Sequence, residues 1–425
     1  MTPGGLMAVF LAFMVGGVPV AIAMAGAALI YAMASGNIPD FVVIHRMYGG
    51  VDSFPLLAVP FFIFAGNLMN SAGITNRIYN FALALVGWLK GGLGHVNVIG
   101  SMIFAGMSGT AIADAAGLGT IEIKAMQDHG YSTEFSVGVT AASATVGPII
   151  PPSLPFVIYG MMAGVSIGQL FLAGVIPGII MGLTMMLTVA YYAHVRKYQS
   201  DAVFSWSQLG RTFLEAFLAL MTPVLLVGGM TLGVFTPTEG AIAASAWALL
   251  LGLAWYRTLS WRMLIKISMD TIETTATVLF IVAAASIFGW LLTVTRITED
   301  VATWMLAFTQ NPAVFLLLAN VLMLFVGCFL EPVAAITLLV PVLIPICLKL
   351  NIDLVHFGLV MVLNLMIGLL HPPMGTVLFV LSRVARLTFE RTTIAILPWL
   401  VPLLATLILC TYVPEIVRWL PKRYF

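Results

Sequence analysis

Two stretches of this sequence place a carboxylate among hydroxyls, glycine or proline inside otherwise apolar chain. The first, GMSGTAIADAAG from Gly106 to Gly117, holds Ser108, Thr110 and Asp114. The second, GCFLEPVAAITLLVPVLIP from Gly327 to Pro345, holds Glu331 followed at once by Pro332. Ser108 and Thr110 offer neutral oxygens, and glycines let backbone carbonyls approach a cation. Asp114 follows Thr110 by four residues, so the two share a helix face. Asp114 is therefore a candidate for ion attraction, substrate positioning or a structural hydrogen bond. Small-residue helix packing is the plain alternative for the first stretch, but packing does not call for an acid. A water-facing hairpin tip is the plain alternative for Glu331; an intramembrane acid is otherwise a functional candidate.

Two double prolines add a second kind of site. GPIIPPSLPFV begins at Gly147 and carries Pro151–Pro152, and GLLHPPMGTVL begins at Gly368 and carries Pro372–Pro373. Each pair removes two amide donors and bars a continuous helix. The carbonyls just upstream, Gly147 to Ile150 and Gly368 to His371, are then free to coordinate a hard monovalent cation such as sodium. The helix that restarts afterwards points a positive N-terminus back at the break, which suits a carboxylate. These features recur at one offset: 327 − 106, 368 − 147 and 331 − 110 all equal 221. Shared spacing argues for an internal repeat, inverted if each half crosses the membrane an odd number of times. Inverted repeats with discontinuous helices mark secondary transporters.

The elements that must hold these groups are membrane helices. Of 425 residues, 61% are hydrophobic and only 8% charged, against roughly 25% charged in a soluble domain. Spans are expected at about 5–35, 54–72, 136–164, 168–194, 213–235, 238–256, 270–294, 355–382 and 393–414, with shorter crossings or interfacial helices at 76–90 and 298–310. The opening stretch is too long for a signal-peptide core and reads as a first span. The segments 94–128 and 312–349 are interrupted by small residues, proline or charge and read as re-entrant helical hairpins. The fold class is thus all-α and polytopic: a first inverted repeat over 1–195, a cytoplasmic linker over 196–212, and a second repeat over 213–425. Within the repeats, hairpins fall at about 94–128 and 312–349 and broken helices at about 136–164 and 355–382. Basic loops around Arg196, Arg257 and Arg383 set the cytoplasmic side and leave both termini outside, although Arg418, Lys422 and Arg423 run against that rule.

Composition also excludes functions. A net charge of +1 gives no electrostatic footprint for nucleic acid. Cys328, Cys347 and Cys410 have no metal-ligand or disulfide spacing. An intramembrane protease is excluded by the lack of HExxH and of a Gly-x-Ser-Gly with a His-bearing helix. No Walker A motif is present, so uphill transport must draw on an ion gradient. In GVFTPTEG, Gly233 to Gly240, Thr238 and Glu239 are expected to cap a helix. Arg77 and Arg296 are expected as interfacial anchors, and His371 as a satisfied polar group rather than a proton relay.

SGTAIADAAG, the doubled Gly-x-x-x-Pro-Pro, GVFTPTEG and GCFLEPVAAITLLVPVLIP together resemble the large membrane (M) subunit of tripartite ATP-independent periplasmic (TRAP) transporters, of the dicarboxylate and sialic acid type. The resemblance covers nearly the whole chain in the right order; its motifs are specific jointly and weak singly. It implies a multi-pass permease of the bacterial inner membrane, with a scaffold and a mobile transport domain that works as an elevator. It implies sodium-coupled import of a small organic acid delivered by a periplasmic substrate-binding protein. A separate small four-helix membrane subunit is the implied partner, with sodium as coupling ion and no organic cofactor. Carried over residue by residue, it implies one sodium site at Ser108, Gly109, Gly147, Ile150 and Pro152, and a second at Gly327, Glu331, Gly368, Pro373 and Thr376. The implied substrate cavity touches Thr110, Asp114, Ser153 and Glu331. Two positions depart from the family: His371 stands where a small residue is commoner, and Glu331 where Asp is frequent. Beside this reading stand a sodium:carboxylate symporter that needs no binding protein, and an ion channel.

Overall fold

Glycine and proline decide where the helices of this chain stop. The computed structural model describes residues 3–36, 38–372 and 375–425, with the backbone only of Asp40 and Ser108. The helices run α1 Pro3–Val15, α2 Val20–Ser35, α3 Asp40–Val51, α4 Ala58–Ser71, α5 Ile74–Val86, α6 Gly92–Ser108 and α7 Ala111–Ala116. There follow α8 Leu118–Asp128, α9 Thr133–Ala144, α10 Leu154–Ala163, α11 Ile167–Arg196, α12 Trp206–Thr231, α13 Pro237–Leu250 and α14 Trp261–Val294. The chain closes with α15 Ile297–Phe308, α16 Pro312–Gly327, α17 Pro332–Lys349, α18 Leu354–Gly368, α19 Thr376–Ala385, α20 Phe389–Tyr412 and α21 Pro414–Tyr424. Among the described residues no strand forms; a single bridge joins Lys90 to Ser200. Among the described residues seven helices, counting α4 from Phe54 and α13 to Trp255, are long and apolar enough to cross a membrane.

The helices that are apolar all round occupy the centre, as their composition demands. Every residue of α9 from Phe135, of α10 from Leu154 to Gly160 and of α18 from His356 is buried. Lipid tails are as apolar as leucine, so close packing rather than escape from water must hold such helices together. Small residues supply it. Gly358 on α18 sits against the Tyr159 ring of α10, and the Tyr159 hydroxyl donates to the Leu354 carbonyl at 2.7 Å. The pairing of the halves is crossed: α10 packs on α17 and α18, while α19 packs on α7 and α9. Each restarted helix therefore reaches the other half's interrupted pair.

The turns of the two halves match in chemistry as well as order. Ser132 caps α9 and Asp353 caps α18, both through the side chain and 221 residues apart (353 − 132). At the same spacing (351 − 130) Gly130 and Asn351 take positive φ, 81° and 53°.

Four expectations need correction. The stretch 5–35, expected as one crossing, is two packed helices, because Gly17 turns left-handed at φ 77° and Pro19 lacks the donor to continue. The linker is shorter than 196–212, since α12 begins at Trp206, and it is docked rather than free. Asp201 accepts from the Leu93 N–H at 2.9 Å and from the Tyr131 hydroxyl at 2.5 Å, and Gly91 N–H donates to Gln199 O. The helix expected from residue 270 begins at Trp261, with Lys266, Asp270 and Glu273 inside it. In GVFTPTEG the cap is Thr236 with Glu239 in a capping box, while Thr238 donates instead to the Phe54 carbonyl.

Candidate functional site

Among the described residues, four departures from helical geometry bear on the site. Helix α6 ends where Gly109 turns left-handed, φ 62°. Only glycine suits this point: a Cβ on Gly109 would lie 2.8 Å from the Pro152 carbonyl oxygen. Thr110 then takes extended geometry and its hydroxyl accepts from the Ala113 N–H at 3.3 Å, starting α7. The broken helix opposite runs α9, an irregular stretch 145–153, then α10. The Pro151–Pro152 peptide is cis, and Ser153 restarts the chain by accepting from Phe156 N–H at 3.3 Å. Gly147 faces the tip, where an added Cβ would be 3.5 Å from the Thr110 carbonyl oxygen. Among the described residues no donor reaches the carbonyls of Gly147 to Pro152, including that of Ile150. Buried carbonyls normally find a donor, so this row of oxygens is available to a cation.

The second tip is built differently. Helix α16 ends at Gly327, and α17 starts after Glu331, whose Oε2 accepts from Val333 and Ala334 N–H at 3.1 and 3.3 Å. Glu331 is therefore an N-cap carboxylate. Gly327 meets Gly368 backbone to backbone: a Cβ on Gly368 would lie 2.8 Å from the Gly327 carbonyl carbon. His371 Nδ1 donates to the Pro372 carbonyl at 2.7 Å and lies 3.2 Å from Cys328 Sγ on the tip. It thus has partners of its own, as expected of a satisfied polar group. At the start of α19 the Thr376 hydroxyl is buried with no partner among the described residues. Pro373 and the Ser108 side chain, both expected at sodium sites, lie outside what the structure describes.

The two tips meet at one small cavity of about 40 Å³. Gly109 and Thr110 line it from the first tip, Glu331 and Pro332 from the second, with Pro148, Pro155 and Leu369 from the breaks. The N-terminal residues of α10 and α17 both open on it. Their helix dipoles favour negative charge there, although Ser153 and Glu331 already accept from the first-turn amides of the two helices; the carbonyls alongside favour a cation. Glu331 also borders a larger cavity of about 270 Å³ with Thr277 and Phe280 of α14 and Val20 of α2.

Of the four residues expected to touch substrate, Thr110 and Glu331 come together; Ser153 is wholly buried as the α10 cap, next to the cavity-lining Leu154 and Pro155. Asp114 is not among the lining residues. It is 1% exposed, and its Oδ2 has no partner among the described residues. Behind the first tip lies a polar cluster that sequence reasoning passed over. Asn97 on α6 donates to Glu122 Oε2 on α8 at 2.6 Å and to Thr140 Oγ1 on α9 at 2.7 Å. Ser143 donates to Asn97 Oδ1 at 2.7 Å, and Ser101 to Ser143 at 3.0 Å. Glu122 is 1% exposed, and its Oε1, like Asp114 Oδ2, lacks a partner. The signal was legible as Asn97 and Ser101 one helical turn apart, with an acid on the second arm of the same apolar pair.

Residues 7–416 match the family described as the tripartite ATP-independent periplasmic transporter, DctM component. The chain is 44% identical over 415 residues to the sialic acid TRAP transporter large permease protein SiaM of Vibrio cholerae, covering 98% of this chain and 97% of that one. It is 41% identical over 415 residues to the sialic acid TRAP transporter permease protein SiaT of Haemophilus influenzae, covering 97% of this chain and 67% of that one. Among solved structures, the YdaH transporter of Alcanivorax borkumensis superposes with a TM-score of 0.62 at 16% identity, over 87% of this chain and 86% of that one. That likeness concerns the fold alone.

Proposed function

Because this chain belongs to the DctM component family of tripartite ATP-independent periplasmic transporters, and is a large permease subunit rather than an enzyme, we propose that it imports a small organic acid together with sodium. The acid arrives on a periplasmic substrate-binding protein, and a small four-helix membrane subunit completes the complex in the bacterial inner membrane. Sialic acid, named for SiaM and SiaT, is such an acid, and supports a carboxylate cargo. The match to SiaT covers 67% of that longer permease protein, which leaves room there for a fused second component.

One observation carries this reading: residues of both tips line the same cavity, Gly109 and Thr110 from one and Glu331 and Pro332 from the other. Sodium at the free carbonyls of Gly147 to Pro152, and near Gly327, Gly368 and Thr376, orders the two tips against their breaks. The ordered tips then present helix N-termini to the carboxylate, with Thr110 and Ser153 at the rim and Asp114 behind. A cavity of about 40 Å³ is too small for a sugar acid, so the tips must part to admit one. Two inverted repeats, 1–195 and 213–425, would place the hairpins and broken helices in one transport domain that slides against the remaining helices as an elevator. Sodium couples to cargo because each ligand prefers the state that the other has ordered, and a ligand shifts an equilibrium only by its differential affinity. The basic loops set the side: residues 196, 257 and 383 face the cytoplasm.

The test is uptake into proteoliposomes that contain this chain and its small subunit, under an inward sodium gradient. Uptake that requires sodium and a loaded binding protein is expected. Equal uptake under a potassium gradient would remove sodium from the mechanism. Uptake of free substrate at full rate would instead make the chain a symporter that needs no binding protein.

A further inference from the structure

Helix α14 has three faces rather than two. At 3.6 residues per turn, Ile267, Thr271, Val278 and Val282 form the buried face. Ile265, Met269 and Ile272 form an exposed apolar face, 53%, 60% and 60% open, as suits lipid. Lys266, Asp270, Glu273, Thr274 and Thr277 share a third flank, and all five are exposed. The Thr274 and Thr277 hydroxyls donate to carbonyls one turn back, at 2.9 and 3.0 Å. Among the described residues neither Asp270 nor Glu273 has an ion-pair partner. Charged groups inside a membrane span face a wet cavity or a partner, not hydrocarbon.

The flank leads somewhere. Thr277 is 16 residues from Trp261 and 17 from Val294, so it stands midway along the helix. There it borders the 270 Å³ cavity that also holds Glu331. The polar flank thus runs from the Trp261 end of α14 to Thr277, and meets the second tip across a cavity whose other walls, Val20, Ile22, Phe280, Ile281 and Ala334 among them, are apolar. We propose that this flank lines a water-filled vestibule through which the coupling cation leaves the second tip. Asp270 and Glu273 draw cations outward from Thr277 and, by repulsion, keep an anionic cargo from lingering beside them, while Lys266 stands one turn further out. The direction of traffic rests on the proposed function; the water exposure of the flank does not.

Single cysteines at positions 270, 274, 277, 272 and 276 of the full chain in proteoliposomes test it, with the unsubstituted chain, whose three cysteines are buried, as background. The probes are membrane-impermeant methanethiosulfonates, one cationic and one anionic. Cysteines at 270, 274 and 277 should react at least tenfold faster than those at 272 and 276; equal or reversed rates overturn the vestibule. Slow labelling of the flank only when the small subunit is present would make the flank a subunit contact and equally overturn it. At position 277 the cationic probe should outpace the anionic one, and Asp270→Asn with Glu273→Gln should cut that preference several-fold. An unchanged preference overturns the cation assignment. If the labelling holds but uptake proves independent of sodium, the vestibule stands and the proposed coupling falls.

Discussion

Gly109→Ala strikes a point where the first tip lies against its break. Gly109 has φ 62°, and an added Cβ would stand 2.8 Å from the Pro152 carbonyl oxygen. A left-handed alanine costs about 1–2 kcal/mol, and the contact forces a further shift of tip or break. If sodium binding draws these two segments together, the strain falls mainly on the bound state. Tenfold per 1.4 kcal/mol then makes sodium binding about 5–30-fold weaker. The assay is initial uptake against external sodium, beside thermal unfolding of the purified chain with and without sodium. The half-saturating sodium concentration should rise by that factor while the sodium-free melting point moves little. Gly228→Ala serves as control, since nothing lies within 4 Å of its Cβ. A half-saturating concentration within twofold of the parent would show that the tip need not close on Pro152, and the coupling argument would go with it.

Four further outcomes are expected. Glu331→Gln keeps an oxygen to accept from Val333 and Ala334, so the chain should insert normally yet lose uptake; Glu331→Ala should in addition lose about 1 kcal/mol of stability as a missing cap. Normal uptake by the Gln variant would confine Glu331 to capping. Thr376→Val removes a buried hydroxyl with no partner among the described residues; the melting point should hold or rise, while sodium affinity falls, and unchanged sodium dependence would exclude that oxygen as a ligand. Glu122→Gln should be tolerated in folding, whereas Glu122→Ala strands the Asn97 amide and should cost about 1–3 kcal/mol, read as a lower denaturation midpoint. Asp114→Asn should abolish uptake without loss of insertion; a variant with full uptake would leave Asp114 a purely structural role.

Much of the architecture was legible because its determinants are local. Lipid as the solvent follows from how few charges there are to face water. The four interruptions follow from Gly109, Pro151–Pro152, Gly327–Glu331 and the Gly368–Pro372 stretch, since positive φ and missing donors act on the backbone wherever the chain lies. The same locality explains the failures at the edges. Gly16, Gly17 and Pro19 carried the split between α1 and α2, but an apolar run of that length masks a turn. Arg262 and Lys266 hid the first turns of α14, because hydropathy averages over a helix whose faces have different neighbours.

What composition and spacing determined, then, was the medium, the helices and the places where helices fail. Only the tertiary structure decided which failures meet. Every interruption resets the helical phase, so the four-residue spacing of Thr110 and Asp114 did not say which would reach a cavity. Thr110 caps α7 and faces Glu331, while Asp114 turns into the interior. Glu331 doubles as a cap because its own restart places two amides beneath it. The Asn97–Glu122–Ser143 cluster and the meeting of Thr277 with Glu331 at one cavity likewise exist only once distant segments are packed. Their physical basis is the same: a buried or lipid-depth polar group must find its partner or its water in three dimensions, and the chain order does not say where.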